Sequence, residues 1–356
     1  MSSDEQIPAP AAVPDEQLQA ALGADRAALW TLPREGYRPE LSVVRDHDGA
    51  PRAAVLTSGR PATAATKIVD VWWRSGAEAD AEALVRSVVE RARERGDVAV
   101  KWQVAPDAPA PALIEALGFA ELRHPWSALG TEGTRGFVRW LTDAPAREPG
   151  YYAQSTLFTC GSVAALIAAD AHGHAGFAGD GVRDRDLEVG FWRRASNYPA
   201  CEPVGLAVAL QEHLPSLGVE VALDHDGPVL IEGFTGFDRD FRAELQAESA
   251  QRAEALGIPL RRDRAAVDEI IRRVGAGECA LLLIDEEPMH GETGPHWVTA
   301  HGVAGAALVV DDPWINVEAG ETWVDTHAMP VLPGDVDRLV RWSDAGYRGV
   351  VFTAGR

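Results

Sequence analysis

The stretch Gln154-Ser-Thr-Leu-Phe-Thr-Cys160-Gly161-Ser162, which runs directly into the apolar segment Val163-Ala-Ala-Leu-Ile-Ala-Ala169, decides the fold of the C-terminal half. The apolar segment predicts a buried helix from Gly161 to Ala169. A cysteine at the start of a helix lies at the positive end of the peptide dipoles, which favour thiolate over thiol. The pattern predicts that Cys160 is a nucleophile. A buried structural cysteine at the start of an apolar helix is the alternative.

Two strands further along the chain supply partners for this thiol. The segments His296–Val303 and Ala307–Asp311 are strand-like and joined by a short turn, so we predict a hairpin. The start of its first strand then lies beside the end of its second, and His296 becomes a neighbour of Asp312. A carboxylate in that position orients an imidazole, which in turn activates a thiol.

A neutral amide donor precedes the cysteine. Gln154 lies six residues before Cys160 and, together with the backbone N–H of Cys160, is suited to stabilise an oxyanion. These residues, with His296 and Asp312, predict attack of a thiolate on an amide or ester carbonyl through an acyl-enzyme.

The same residues resemble the papain-like, bacteriocin-processing cysteine peptidases, family thirty-nine of the cysteine peptidases, and especially its stand-alone, peptidase-like branch. The shared motifs are a Q-x5-C-G opening, a P-H-W-V strand and a final D-P, which map onto Gln154, Cys160, Gly161, His296, Trp297, Asp312 and Pro313. The resemblance covers about residues 150–315 and implies a papain-like domain. We expect the substrate-binding cleft to be bordered by Gly161, Trp297, Cys201 and Glu202.

One position departs from the family pattern. Glu202 stands between Cys201 and Pro203, where a small glycine is expected. The added carboxylate near the cleft predicts either an altered choice of substrate or a member that no longer acts as a peptidase.

Other readings of the cysteines and histidines are weaker. Cys201 lacks an upstream amide donor and ranks behind Cys160 as a nucleophile, and Cys279 lies in a strand typical of a core. A metal site is not expected, because the His-Gly-His run in a glycine-rich loop offers two ligands at best. The histidines weighed for it are His172, His174, His290 and His296.

The N-terminal half resembles the GNAT acetyltransferase fold, from its order of hairpin, strand, long helix, strand and short helix and its phrase Leu113-Ile-Glu-Ala-Leu-Gly118-Phe119. That family holds acetyl-CoA in a Q/R-x-x-G-x-G/A loop at a helix N-terminus. Here one glycine stands at the wrong spacing, and the first turn carries Glu78, Asp80 and Glu82, whose charge repels a pyrophosphate. We expect a degenerate scaffold without a cofactor; acetyl-CoA binding is the alternative. The scaffold would position substrate or mediate a homodimer.

The domain boundary is predicted where two prolines and a glycine interrupt the pattern at residues 143–150. Residues 1–20 are read as a disordered lead-in, 21–145 as the GNAT-like domain and 150–356 as the papain-like domain. The predicted class is α+β, with a papain-like cysteine peptidase domain preceded by a GNAT-like α/β domain.

Charge and composition restrict the partners. The net charge is −21, which disfavours nucleic acid and favours a peptide or amine-bearing, cationic substrate. No apolar run is long enough to cross a membrane, the acidic start does not resemble a secretory signal, and three cysteines cannot build a disulfide framework. We therefore expect a cytoplasmic enzyme. It is a peptidase or amidase if water takes the acyl group and an acyltransferase if an amine does; a non-catalytic binding protein is the third reading.

Overall fold

The computed structural model describes residues 13–106, 111–196, 200–342 and 346–355. They form two compact units. The N-terminal unit runs to Leu122 and also takes Gly130–Asp143 and Asn316–Asp325; the C-terminal unit takes Arg123–Leu129, Ala144–Ile315 and the chain from Thr326 onward. Strands and helices mix in both units, which confirms the predicted α+β class.

The N-terminal unit is one six-stranded sheet with strand order β1-β2-β3-β4-β6-β5. Its helix α3 buries the side chains that recur with helical spacing along it, and ends at Gly96, whose φ of 80° is left-handed. In chain order its elements are α1 (Glu16–Leu22), α2 (Ala24–Thr31), β1 (Glu40–Arg45), β2 (Pro51–Ser58), β3 (Ala65–Trp73), α3 (Glu78–Arg95), β4 (Ala99–Val104), α4 (Ala112–Ala116), β5 (Ala120–Glu121) and β6 (Arg135–Trp140).

The parallel pair β3 and β4 opens into a cleft. The two strands pair from Ala65 opposite Ala99 to Ile68 opposite Trp102 and are not paired beyond that point. A cavity of about 290 Å³ lies there, and Arg26, Asp70, Trp73 and Trp102 are among its lining residues.

The segment Asn316–Asp325 completes the N-terminal unit by burying charged groups. Arg60 and Glu321 form an ion pair of 3.0 Å with both side chains almost fully enclosed. Lys67 pairs with Asp325, and Lys101 donates to the carbonyl of Val324 at 2.9 Å. No pattern in the sequence predicted this, because the partners lie more than 200 residues apart.

The C-terminal unit is built on a seven-stranded sheet with order β12-β11-β10-β9-β13-β7-β8. Helix α5 packs on β10 and β9, and its first ten residues are buried. In chain order the elements are α5 (Cys160–Ala171), α6 (Gly181–Ala195), α7 (Pro203–His213), β7 (Gly218–Leu223), α8 (Gly236–Leu256), β8 (Leu260–Arg261), α9 (Val267–Gly275), β9 (Cys279–Asp285), α10 (Glu287–His290), β10 (Pro295–Ala304), β11 (Ala307–Asp311), β12 (Met329–Val331), α12 (Pro333–Leu339) and β13 (Gly349–Ala354). The short helix α11 (Trp323–Thr326) lies between β11 and β12 in the chain and belongs, up to Asp325, to the N-terminal unit.

The predicted hairpin is confirmed, whereas the strand that the mostly apolar residues 229–232 predict from the sequence is absent. Strands β10 and β11 pair antiparallel, with a register shift at His301. The apolar segment 229–232 is not a strand, because Leu230 has a left-handed φ of 55° and the backbone of Val229 bonds in both directions to the side chain of Gln246 on α8. A side-chain amide thus takes the hydrogen bonds that a neighbouring strand would have made. Within the described ranges, no helix has the length and apolar character needed to cross a membrane.

Candidate active site

Cys160 is the first residue of α5 and is largely buried. The helix begins where the apolar run begins, so the sequence places this thiol at the helix N-terminus by the same pattern that buries the helix. Its backbone N–H is among those at the start of a helix that lack a partner in the preceding turn. The thiol therefore lies at the positive end of the helix dipoles.

His296 and Asp312 meet as the hairpin predicted. His296 Nε2 lies 2.7 Å from Asp312 Oδ1, and both side chains are buried. The same carboxylate oxygen accepts the backbone N–H of Trp314 at 2.8 Å. The main chain of Asp312 is also fixed, because its carbonyl accepts from Tyr151 Oη at 3.0 Å and its N–H donates to the carbonyl of Thr326 at 2.9 Å. The carboxylate is held rigidly against one ring nitrogen.

Cys160 is the second side-chain partner of His296. Because Asp312 occupies Nε2, we infer that the thiol is paired with the other ring nitrogen, Nδ1. Burial disfavours the charged ring, but the negative charges of Asp312 and Cys160 outweigh it and raise the pKa of His296 well above its ordinary value. A protonated imidazole between a carboxylate and a sulfur is the arrangement that activates a cysteine.

The surroundings of the other two cysteines favour the protonated thiol. Burial raises the pKa of Cys201 well above its ordinary value, and the negative charges of Cys160 and Glu202 add to the effect. Burial also raises the pKa of Cys279 to about 11. Both thiols stay protonated near neutral pH, and a protonated thiol is a poor nucleophile.

Gln154 is fixed in the loop before α5. Its backbone N–H donates to the carbonyl of Pro313 at 2.8 Å, which ties the loop to the chain beside Asp312. Its Nε2 donates to the carbonyl of Thr156 at 2.8 Å, and Oε1 is buried with no hydrogen-bond partner in the described part of the chain. The role of Gln154 at an oxyanion stays a prediction.

Glu188 organises the same loop and was missed by sequence reasoning. This fully buried carboxylate on α6 accepts from the Ser155 N–H at 2.7 Å, from Thr159 Oγ1 at 2.5 Å and from Tyr152 Oη at 3.2 Å. It therefore holds both ends of the segment between Gln154 and Cys160. The only sign of Glu188 in the sequence is that a glutamate stands between apolar residues on a helix. That pattern is too common to identify a functional residue.

The expected cleft residues lie close together beside Cys160. The Cα of Gly161 faces Cys201 and Trp297 so closely that an added Cβ would stand 3.0 Å from Cys201 Cβ and 3.2 Å from Trp297 Cδ1. Trp297 Nε1 donates to the carbonyl of Cys201 at 2.8 Å. Glu202 caps α7, accepting the N–H groups of Val204 and Gly205 at 2.6 and 2.5 Å. Contact of these residues with a substrate stays a prediction.

Two of the histidines weighed as metal ligands, His172 and His290, contact different partners. His172 Nε2 lies 3.0 Å from Thr353 Oγ1, and the ring of His290 packs edge-on against Trp314. Within the described ranges, the one cluster with spacing suited to a metal is Asp46, His47 and Asp48 in the turn between β1 and β2. Two of its three residues are exposed, and the cluster lies in the N-terminal unit.

A second network of buried charged side chains is centred on Asp311, the residue before Asp312. Asp311 Oδ1 contacts His327 Nδ1 at 2.9 Å and His301 Nε2 at 3.3 Å, and the other nitrogen of His327 lies 2.9 Å from Glu148 Oε1. Burial opposes the charge on His327, but Asp311 and Glu148 raise its pKa to about 9. The paired histidines also hold the pKa of Asp311 far below its ordinary value against the effect of burial. The network fixes the end of β11, where Asp312 follows.

The start of α3 does not fit the pyrophosphate of acetyl-CoA. The N–H of Gly76, which a bound phosphate would need, faces the carboxylate of Glu78 at 3.3 Å, and Asp80 in the first turn pairs with Arg52 at 2.6 Å. In the cleft between β3 and β4, Asp70 accepts from Trp30 at 2.6 Å and pairs with Arg26 at 2.7 Å. Carboxylates of the chain thus occupy the start of α3 and line the cleft, and the absence of a cofactor stays a prediction.

Comparison with known proteins gives a family for the C-terminal half. A family model described as Peptidase_C39 like family matches residues 149–354. No curated protein matches the chain.

Solved structures similar to part of this chain are acetyltransferases. An IAA acetyltransferase from Bacillus cereus is 14% identical, covers 33% of this chain and 83% of its own, and has a TM-score of 0.25. A nourseothricin acetyltransferase is 20% identical over 28% of this chain and 62% of its own, with a TM-score of 0.24. A spermidine N-acetyltransferase from Vibrio cholerae is 14% identical over 30% of this chain and 68% of its own, with a TM-score of 0.25.

Proposed function

The chain belongs to the Peptidase_C39-like family, and from that premise we propose that it is a cysteine-nucleophile enzyme that cleaves an amide or ester bond through an acyl-enzyme on Cys160. The substrate class that we favour is a peptide or peptide-like amide. The observation that supports it most is that His296 has two side-chain partners, Asp312 at 2.7 Å from Nε2 and the thiol of Cys160.

The reaction runs in two halves. The thiolate of Cys160 attacks the carbonyl carbon, a C–S bond forms, and the carbonyl electrons move to oxygen, where the Cys160 N–H and Gln154 would stabilise the charge. The intermediate collapses with loss of the amine or alcohol, which takes the proton from His296 Nδ1. Water, deprotonated by His296, then attacks the thioester and returns the electron pair to sulfur.

The remaining parts of the site support this chemistry indirectly. Asp312 keeps the imidazole in one orientation and stabilises its charged form. Glu188 keeps the loop from Ser155 to Thr159 in place. The raised pKa values of Cys201 and Cys279 leave Cys160 as the reactive thiol of the chain near neutral pH.

Labelling with iodoacetamide at pH 7, read by intact mass and peptide mapping, tests the activated thiol. We expect Cys160 to react first, at least about tenfold faster than Cys201 or Cys279, because their thiols remain protonated. His296→Ala should slow the labelling of Cys160 strongly, whereas His47→Ala, at an exposed position of the other unit, should not. Equal labelling of the three cysteines, or a rate at Cys160 that does not depend on His296, would contradict the proposal.

A further inference from the structure

Glu286 brings a carboxylate to the ring nitrogen of His296 that does the chemistry. It directly follows β9, and its Oε1 lies 3.8 Å from His296 Nδ1. Its backbone N–H donates to the carbonyl of Gly294 at 3.0 Å, and an added Cβ on Gly294 would stand 2.7 Å from its Oε2. The side chain is about a quarter exposed, so it is both fixed by the turn and open to solvent.

The position of this carboxylate determines which part of a substrate it meets. Asp312 occupies Nε2, so Nδ1 is the atom that passes a proton to the leaving group and takes one from the attacking nucleophile. A group 3.8 Å from Nδ1 therefore lies close to the atom that exchanges protons with the leaving or attacking group. A carboxylate there attracts a cationic group and repels an anionic one.

The segment of chain that holds the site is poor in cationic side chains, and His296 is the ion-pair partner of Glu286 at 3.8 Å. Residues 279–337, which include Glu286, His296 and Asp312, contain no lysine or arginine. The whole chain has only two lysines, Lys67 and Lys101, and both are buried and bonded in the N-terminal unit. The described structure thus presents no lysine amine to an acyl-enzyme on Cys160.

We propose that Glu286 forms a subsite for an ammonium group carried by the amine that leaves from or attacks the acyl-enzyme. This inference rests on the proposed function. It names the preferred partner of the acyl group as a cationic amine, such as a diamine or the basic residue on the leaving side of a peptide bond.

Transfer of the acyl group to a diamine uses its two nitrogens in different protonation states. One nitrogen of the diamine stays protonated and binds Glu286, while the other loses a proton to solvent. That neutral nitrogen attacks the thioester carbonyl, a C–N bond forms, and its second proton passes to His296 Nδ1. The C–S bond then breaks with its electron pair on Cys160, which restores the thiolate and the protonated imidazole.

Competition between acceptors tests the subsite. The enzyme is acylated with p-nitrophenyl acetate, and 1,4-diaminobutane or 4-amino-1-butanol, which differ in one terminal group, compete for the acetyl group. We expect N-acetylation of the diamine to exceed that of the amino alcohol by about fivefold, the effect of one partly exposed ion pair. Glu286→Gln should bring the ratio close to one, and Glu286→Lys should shift the preference toward 4-aminobutanoate.

Only acylated enzyme contributes to the ratio of acetylated diamine to acetylated amino alcohol. A lower yield of folded protein therefore does not change this ratio. Glu287→Gln, a change at the exposed neighbouring residue, is the matched control and should keep the wild-type ratio. A ratio that is the same in wild type and Glu286→Gln overturns the subsite while the acyl-enzyme stands. Failure of the wild type to acylate Cys160 overturns the proposed function and the subsite with it.

Discussion

At the scale of single residues, the space beside Gly161 decides how closely Cys160 is held. An added Cβ would stand 3.1 Å from Cys201 Sγ and 3.2 Å from Trp297 Cδ1. Both neighbours are buried, and Trp297 is fixed by its hydrogen bond to the carbonyl of Cys201. A Cβ at position 161 therefore requires these neighbours or the start of α5 to move.

Gly161→Ala tests this packing. Replacing a helical glycine by alanine raises the free energy of unfolding by up to about 1 kcal/mol, whereas overpacking a core lowers it by about 1–3 kcal/mol. We therefore expect a net destabilisation of about 1 kcal/mol. We also expect slower labelling of Cys160. Gly190→Ala on α6 is the control, since no atom lies within 4 Å of its added Cβ. It should stabilise the protein by about 0.5–1 kcal/mol. Urea unfolding measures both, and a stabilised Gly161→Ala would show that the contact is not tight.

At the scale of elements, the site divides into a part that local patterns predict and a part that they do not. His296 and Asp312 belong to one hairpin whose turn is short, so their meeting follows from strand pairing. Cys160 follows from the junction of a polar loop with an apolar helix. Glu188 and Glu286 reach the site from elements whose own sequences look like ordinary charged surface, and only tertiary packing brings them there. The failure at residues 229–232 has the same cause, because a side chain of α8 takes backbone bonds that the apolar pattern assigned to a strand.

The histidine network at the end of β11 makes the stability of the C-terminal unit depend on pH. The pKa of His327 is raised from 6.5 to about 9, so its charged form stabilises the folded state fully below pH 6.5 and this contribution is lost as the pH rises through about 9. We expect the free energy of unfolding to fall between pH 6.5 and 9.5, by an amount on the order of 3 kcal/mol at the upper limit.

Urea unfolding of wild type and His327→Gln at both pH values isolates this contribution. The pKa values of His296, Cys201 and Cys279 are also raised, and these groups add a fall of the same sign, so the difference between the two proteins is the quantity to compare. The variant should be less stable at pH 6.5, because Asp311 is left buried beside a neutral group. A difference that does not shrink toward pH 9.5 would mean that His327 is not charged in the folded protein.

At the scale of the whole molecule, the net negative charge and the proposed catalytic residues are both concentrated in the same part of the chain. The net charge of −21 lies mostly beyond residue 150, in the part that holds Cys160, His296 and Glu286. The N-terminal unit buries its two lysines against Asn316–Asp325, a segment from the far end of the chain. Neither lysine is available for chemistry, and the sequence carries no local sign of this pairing because its partners are so far apart.

Titration calorimetry with acetyl-CoA checks whether the N-terminal unit acts as a scaffold without cofactor. We expect no binding tighter than about 100 μM, equivalent to about −5.5 kcal/mol. The reason is that the phosphates would meet Glu78 and Asp80 at the start of α3 and the acyl arm would approach the carboxylate of Asp70.

Variants that remove these negative charges provide the control. If these carboxylates are the obstacle, Glu78→Gln with Asp80→Asn should increase any residual affinity, and raising the salt concentration should do so as well, since salt screens the repulsion. Binding in the micromolar range by the wild-type chain would show instead that backbone amides of the cleft remain open to an anion, and the N-terminal unit would then have to be counted as a second catalytic candidate.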